Sequence, residues 1–417
     1  MNTETTDPDC FALPPGVDWL PVNDAINRIL SSFTPLDKSE EITLNKAVGR
    51  VLAKQVTALR ANPPLTNSAV DGYGFAFDSL TRHDELELAS GYAAPGSILD
   101  KSVPFGKAIK ILTGAPLPEG VDTVHLQEYS QIDSHRLHFK SRPKKGANTR
   151  LAGEDIKVGD QLFAKGHKIR TNDLACLVSS GVDKINVYAK LRVGVLSTGN
   201  ELWENGMAVD NATVFDANRP MLLSLIHKMG FIPVDLGMVG DDREEVRDKL
   251  NQGASSSDII LTSGGASSGM EDFVSDLLSK EGELNFWRIA VKPGRPLALS
   301  KWQDTHIFGL PGNPIAAFVC SLVFTHPAMR ILSGELWKPP VGFMVPAAFQ
   351  KRKKPGRTEY LRARMNDEGL AEIFPSEGSG LTTSLSWSEG LVELGEDTLS
   401  VGRGDLVKYY PYSSFGI

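Results

Sequence analysis

Two hydrophobic rhythms divide the chain. Between Leu191 and about Ser333, short unbroken apolar runs alternate with stretches whose apolar residues recur every three or four positions. The short runs are Arg192-Val-Gly-Val-Leu196, Phe231 to Leu236, Ile259-Ile-Leu261 and Thr305 to Leu310, with Trp287-Arg-Ile-Ala-Val291 leading into Lys292-Pro-Gly-Arg-Pro296. Between them, Met221, Leu222, Leu225, Ile226 and Met229 share one helical face that stops at Gly230. Asp242 to Leu250 and Phe273 to Leu278 make further helices, and a long apolar helix ends near Ser333. Short apolar runs bounded by turn residues suit strands buried on both faces. Their alternation with helices predicts a mostly parallel sheet covered on both sides.

The flanking regions read differently. Residues 1 to about 16 form a polar arm, and Val22, Ala25, Ile26, Ile29 and Leu30 predict a helix. Leu44, Ala47, Val48, Val51 and Leu52 predict a second short helix, kinked at Gly49. From Ala58 to Asp155, short apolar runs separated by Gly and Pro turns predict a compact β domain. Thr171, Asn172 and Asp173 are candidate caps for a helix that stops at Gly181. From Trp337 the alternation in Arg357 to Arg364, Leu391 to Leu394 and Leu406 to Tyr410 predicts a small C-terminal β domain.

Ligands of open α/β sheets gather outside the carboxyl ends of the strands. The polar stretches that follow predicted strands are Ser197 to Glu201, Gly237 to Asp242, Ser263 to Asp272, Lys292 to Pro296 and Pro311 to Pro314. In Ser263-Gly-Gly-Ala-Ser-Ser268, glycines let a ligand approach the backbone N–H groups, and Ser263, Ser267 and Ser268 add hydroxyls. That composition favours an oxyanion seat, although neither G-x-G-x-x-G nor a Walker loop is present. Lys292 and Arg295 are natural oxyanion partners. Glu201, Asp241, Asp242 and Asp272 are hard oxygen donors; one or two of them, with water and phosphate oxygens, suit Mg²⁺. Asp242 and Asp272 taken singly read first as acids at helix N-termini.

Composition narrows the choice. At 417 residues, with 41% hydrophobic and 23% charged, the chain should form two to four globular domains. A net charge of −7 argues against nucleic acid as a partner. Cys10, Cys176 and Cys320 lie far apart, which argues against a disulfide framework, a zinc ribbon and a protein-ligated iron–sulfur cluster; Cys320 reads as a buried hydrophobe. His135 and His138 flank a turn. No stretch reads as a membrane span and Met1 to Asp9 is unlike a signal peptide, so a cytoplasmic location is expected.

The ordered motifs carry a resemblance. Ser68-Ala-Val-Asp-Gly-Tyr73, Leu112-Thr-Gly-Ala-Pro-Leu-Pro-Glu-Gly-Val-Asp-Thr-Val124, Gly153-Glu-Asp155, Leu196-Ser-Thr-Gly-Asn-Glu-Leu202, Ser263-Gly-Gly-Ala-Ser267, Lys292 to Pro296 and Leu310-Pro-Gly-Asn-Pro314 occur in this order. Together they resemble the molybdopterin molybdenumtransferase family, which includes the related domain of gephyrin. The resemblance implies a segmented N-terminal domain (1–57 plus 156–190), an inserted β domain (58–155), an α/β molybdopterin-binding domain (191–336) and a C-terminal β-barrel (337–417). It implies a homodimer whose cleft combines domains of both protomers, with molybdopterin adenylyltransferase and molybdoenzyme maturation factors as further partners. The implied reaction inserts molybdate into adenylylated molybdopterin, with release of AMP. Asp71, Thr113, Asp155 and Glu201 match catalytic positions. Thr198, Ser263, Gly264, Gly265, Ser267, Lys292, Arg295, Pro311, Asn313, Arg357, Arg362 and Ser379 match binding positions, and Glu201, Asp241 and Asp242 would hold Mg²⁺.

Four residues depart from the family pattern: Arg295 stands for Lys, Val70 for Met, Asn200 for Asp and Ala316 for Ser. Two other functions share parts of the resemblance. Molybdopterin adenylyltransferase resembles the α/β region alone and would consume ATP, and a gephyrin-like scaffold would bind without turnover.

Overall fold

A computed structural model of the chain describes residues 19–82, 85–204, 206, 213–264, 273–294, 296–378 and 380–417. Its chain folds as two compact units, Met1–Lys38 with Tyr188–Ile417, and Ser39–Val187.

The larger unit is built on a six-stranded sheet. Its strands are β1 (Arg192–Thr198), β2 (Ile232–Val239), β3 (Ile259–Ser263), β4 (Glu283–Arg288), β5 (Pro296–Trp302) and β6 (Thr305–Leu310), in the order β2-β1-β3-β6-β5-β4. The pairs among β2, β1, β3 and β6 are parallel. Strand β5 turns back antiparallel to β6, and β4 pairs antiparallel to β5, so the sheet is mixed. Helices α2 (Asn218–Lys228), α3 (Arg243–Ser256) and α4 (Phe273–Glu281) complete the predicted alternation.

Strand β3 is buried on both faces, as its unbroken apolar run requires. Ile259 and Leu261 enter one core with Leu222 and Phe308, while Ile260 enters the opposite core with Leu250, Val274 and Leu277. Burying each such side chain is worth about 1.5–3 kcal/mol, which pins the strand and the loop that leaves it. Helix α1 (Val22–Ser32) puts Val22, Ala25 and Ile29 into the first of these cores. Residues 22–32 therefore belong with the α/β body, not with the rest of the N-terminal segment.

The helical run Pro314–Leu332 (α5) has 19 residues and a mean hydropathy of 1.6, long and apolar enough to cross a membrane. This corrects the expectation that no stretch reaches that length. Its residues are 89% buried inside the protein, which accounts for their apolarity. Cys320 on this run is 1% exposed, and burial pushes its thiol up to about 12.

Four C-terminal strands, β7 (Phe343–Pro346), β8 (Thr358–Met365), β9 (Gly390–Leu394) and β10 (Leu406–Pro411), join the two-residue strand Val291–Lys292 in one sheet. Its order is Val291–Lys292, β8, β9, β10, β7, an open path among the described residues. Tyr360, Leu391 and Tyr410 pack into the α/β core, and Ala363, Val392 and Val407 form a core on the other face. The parallel pairing sets Lys292 beside Glu359.

In the smaller unit, a six-stranded sheet runs in the order Thr123–Leu126, Gly72–Phe75, Lys107–Ile111, Glu85–Ala93, Arg136–Phe139, Ser130–Asp133. The turn between the last two strands carries His135 itself, at φ 66°, and His138 lies within the strand Arg136–Phe139. A second core gathers Ile42, Leu52, Val56, Ile169, Leu177 and Val187. The helix expected over residues 44–52 is absent beyond one 3-10 turn at Leu44–Lys46. Arg50 and Leu52 instead exchange backbone hydrogen bonds with His167 and Ile169, so long-range strand-like pairing overrides the helical spacing.

Candidate functional site

The described parts of the predicted loops in the larger unit lie at the strand ends of one sheet, and specific contacts tie neighbouring ones together. At the ends of β2 and β1, the Asp241 N–H donates to Asn200 Oδ1 at 3.0 Å, and the Asn200 N–H donates back to Asp241 Oδ2 at 3.3 Å. Asn200 thus acts as a loop-to-loop tie. At the ends of β1 and β3, Gly264 has φ +91°, and a Cβ there would lie 2.8 Å from both the carbonyl oxygen and Oγ1 of Thr198. Only glycine lets these two loops touch.

Asn218 makes the next tie. It opens α2, is 6% exposed, and donates from Nδ2 to Ser263 Oγ at 2.6 Å and to the Gly312 carbonyl at 2.7 Å. The ends of β3 and β6 are joined through it. The start of α2 is held in turn by Arg219, which pairs with Asp216, Asp235 and Glu204. Asn218 Oδ1 and Ser197 Oγ are buried without a hydrogen-bond partner among the described residues, unusual for buried polar atoms.

Beyond β6, Pro311 leads to Asn313, whose Oδ1 accepts from the N–H groups of Ile315 and Ala316 and caps α5. Gly294 lies against this turn with φ +95°. A Cβ on it would stand 2.7 Å from Cys320 Sγ and 3.3 Å from both Ala316 Cβ and Pro311 Cγ. The Lys292-Pro-Gly loop is thereby pressed onto the Pro311–Ala316 turn.

A charged wall continues from Lys292. Lys292 and Lys351 both bind the carboxylate of Glu377, and the buried Glu359 lies 3.3 Å from Lys351, 3.4 Å from Arg357 and 3.9 Å from Lys292. Arg362 is buried, and its guanidinium donates to the carbonyls of Ser376 at 2.8 Å and Gly378 at 3.4 Å. Burial lowers the Arg362 pKa without threatening its charge. Lys292, Pro293, Ile315, Tyr360, Arg362 and Glu377 line one open cleft.

The acids divide by role. Asp242 caps α3, its Oδ1 accepting from the N–H groups of Glu244 and Glu245 at 2.9 Å, which fits its reading as a helix N-terminal acid. Glu201 is exposed, with its carboxylate turned toward Gly199. No group of three His, Cys, Asp or Glu residues able to hold a metal occurs among the described residues.

In the smaller unit, Gly72 pairs with Ile111, so the residue before one strand lies beside the residues after the other. Asp71 Oδ1 there accepts from Thr113 N–H at 2.6 Å and from Thr113 Oγ1 at 2.7 Å. The backbone hydrogen bond first, and the hydroxyl second, lower the Asp71 pKa below the ordinary carboxylate range. Asp155 is held elsewhere: Asn62 Nδ2 donates to its Oδ2 at 2.9 Å, and its own N–H donates to the Asn62 carbonyl at 3.2 Å.

Known proteins match nearly the whole chain. Family models described as MoeA N-terminal region (domain I and II), probable molybdopterin binding domain and MoeA C-terminal region (domain IV) match residues 20–181, 194–331 and 344–412. A molybdopterin molybdenumtransferase of Haemophilus influenzae is 32% identical over 400 residues, covering 94% of this chain and 99% of the relative. The chain belongs to the molybdopterin molybdenumtransferase family. A second member, from Nostoc, is 28% identical over 94% of each chain. The crystal structure of the molybdopterin biosynthesis moeA protein from Pyrococcus horikoshii OT3 superposes with a TM-score of 0.80 at 27% identity, covering 95% of this chain and all of that one.

For this molybdopterin molybdenumtransferase family member, Gly265, Ser267, Asp272, Arg295 and Ser379 lie outside the described residues. Sequence reasoning missed Asn218, Lys351 and Glu377. Asp216-Ala-Asn-Arg219 at the mouth of α2 was a usable sign, since polar residues at a helix start often make side-chain contacts. Lys351 carried no local sign, because only the packing of distant segments brings it to Glu377.

Proposed function

We propose that this chain inserts molybdenum from molybdate into adenylylated molybdopterin during molybdenum-cofactor synthesis, cleaving the phosphoanhydride to release AMP. The observation that carries the reading is the continuous edge of tied strand-end loops running into the wall of Lys292, Arg357 and Arg362. Similarity over nearly the full length to a relative named molybdopterin molybdenumtransferase supports it.

In this reading, Thr198, Ser263, Gly264 and the Pro311–Asn313 turn receive the polar ligand, and Lys292, Arg357 and Arg362 attract its anionic groups. Molybdenum takes its sulfur ligands from the pterin, in keeping with three separate cysteines. Glu201 and Asp241 supply hard oxygen donors at adjacent loops, suited to Mg²⁺ completed by water and phosphate oxygens. Such an ion would neutralise charge on the phosphates. Asp242 contributes less, with one carboxylate oxygen already committed to capping α3.

Asp71, with its lowered pKa, stays ionised and is a weak proton acceptor. Its role is to orient the attacking oxygen through Oδ2 while Thr113 fixes Oδ1, and Asp155 assists. We further propose a cytoplasmic homodimer, with the C-terminal strands closing as a barrel. Single-turnover measurement of AMP and pterin-bound molybdenum tests the reading. Asp71→Ala and Glu201→Ala should each lower the rate by about 100-fold or more, and wild-type rates in both would remove the assignment.

A further inference from the structure

We infer that Glu377 is an internal anion seated where the oxyanion binds, and that the incoming oxyanion must displace its carboxylate from Lys292 and Lys351. The inference rests on the oxyanion role proposed above for Lys292 and adds a residue that competes for it.

The geometry distinguishes two carboxylates in the wall. Glu359 is the permanent countercharge: its side chain is 2% exposed, on β8, and within 4 Å of Lys292, Lys351 and Arg357. Glu377 lies on the Ser376–Gly378 turn, and its side chain is 46% exposed. One of its oxygens binds Lys292 and the other binds Lys351, whose side chain is only 7% exposed. A two-oxygen bridge between two ammonium groups is the arrangement that two oxygens of a tetrahedral dianion would adopt.

The cations outnumber the carboxylates, with Lys292, Lys351, Arg357 and Arg362 facing Glu359 and Glu377. The wall therefore keeps a positive charge even with Glu377 seated, and attracts a dianion into the open cleft beside it. Once displaced, Glu377 can pass into water at little cost because it is already half exposed. Arg362 meanwhile holds the carbonyls on either side of it, so the turn keeps its place while the side chain leaves. Burial works against the charged form of Glu377, but hydrogen bonds from both lysines hold its carboxyl at about 2. The competitor is thus ionised throughout the neutral range. A seat with a built-in competitor binds its guest less tightly and releases it faster, as suits a substrate that must move on to another carrier.

The test is isothermal titration of molybdate alone into the full-length wild type and the variants Glu377→Gln, Glu377→Asp and Lys292→Gln, with folding checked by thermal unfolding. Removing the competitor should tighten molybdate binding about tenfold or more. Glu377→Asp, which keeps the charge but shortens the reach, should tighten it by less and serves if the glutamine variant does not fold. Lys292→Gln should weaken binding. Equal or weaker binding in the folded Glu377 variants, with binding still dependent on Lys292, would make Glu377 a structural strut and overturn the inference alone. Wild-type binding by Lys292→Gln would remove the oxyanion role of Lys292 and this inference with it.

Discussion

The strand-end edge and the Lys292 wall adjoin one another and are held together by different forces. Along the edge, Asn200, Thr198, Ser263 and Asn218 join neighbouring loops through short hydrogen bonds and close backbone approach, with charge confined to Asp241 and to the Arg219 ion pairs behind Asn218 among the described residues. In the wall, four cationic side chains are arranged around two carboxylates. Hydrogen bonds fix shape and are indifferent to salt, whereas charges act over about 8–10 Å and are screened by it. The division assigns orientation of the ligand to the edge and its capture to the wall.

The joint between the two should be the most sensitive point. Gly294→Ala places a methyl group 2.7 Å from Cys320 Sγ at a backbone angle that alanine resists. Urea denaturation should show a loss of about 2–4 kcal/mol. A loss below about 0.5 kcal/mol would mean that the wall is not pressed onto the edge at all.

Within the edge, Asn218→Ala should cost about 1–3 kcal/mol, because the buried Ser263 hydroxyl and the Gly312 carbonyl each lose a donor. The loss should be the same in 50 mM and 500 mM salt on the order-of-magnitude view that neutral hydrogen bonds are not screened. A strongly salt-dependent loss would show that charge, not geometry, holds the edge.

The smallest effect belongs to the wall itself. The Glu377 carboxyl stands at about 2, below its ordinary 4.5, so its ion pairs stabilise the fold fully above about pH 4.5 and lose that effect as pH falls toward 2. Half exposure limits the gain to about 1 kcal/mol or less. The stability difference between wild type and Glu377→Gln should therefore shrink between pH 6 and pH 3. A difference that stays constant would place the residue outside the ion pairs.

Much of the edge was legible because its signals are local. Ile259-Ile-Leu261 marked a strand buried on both faces; the Ser-Gly turn after it was read as room for a ligand, and the structure shows its Gly264 in close approach to Thr198. Asp71 and Thr113, 42 residues apart, were singled out separately and meet in the structure because Gly72 pairs with Ile111. The wall was less legible. Glu377 bridges Lys292 and Lys351 across 85 and 26 residues of sequence, a contact between distant segments that no local pattern encodes. Residues 44–52 show the converse failure: helical spacing of apolar residues was satisfied instead by pairing with residues 167–169. The apolar run in α5 answers to a protein core that only the packed fold displays.

The central claim is that edge and wall together serve molybdenum insertion into a nucleotide-bearing pterin. Its most direct test mixes the full-length protein with adenylylated molybdopterin and molybdate, without ATP, and follows AMP and pterin-bound molybdenum through one turnover. Both should appear together in equal amounts. AMP formed without molybdenum on the pterin, or molybdenum loading that requires ATP, would contradict it.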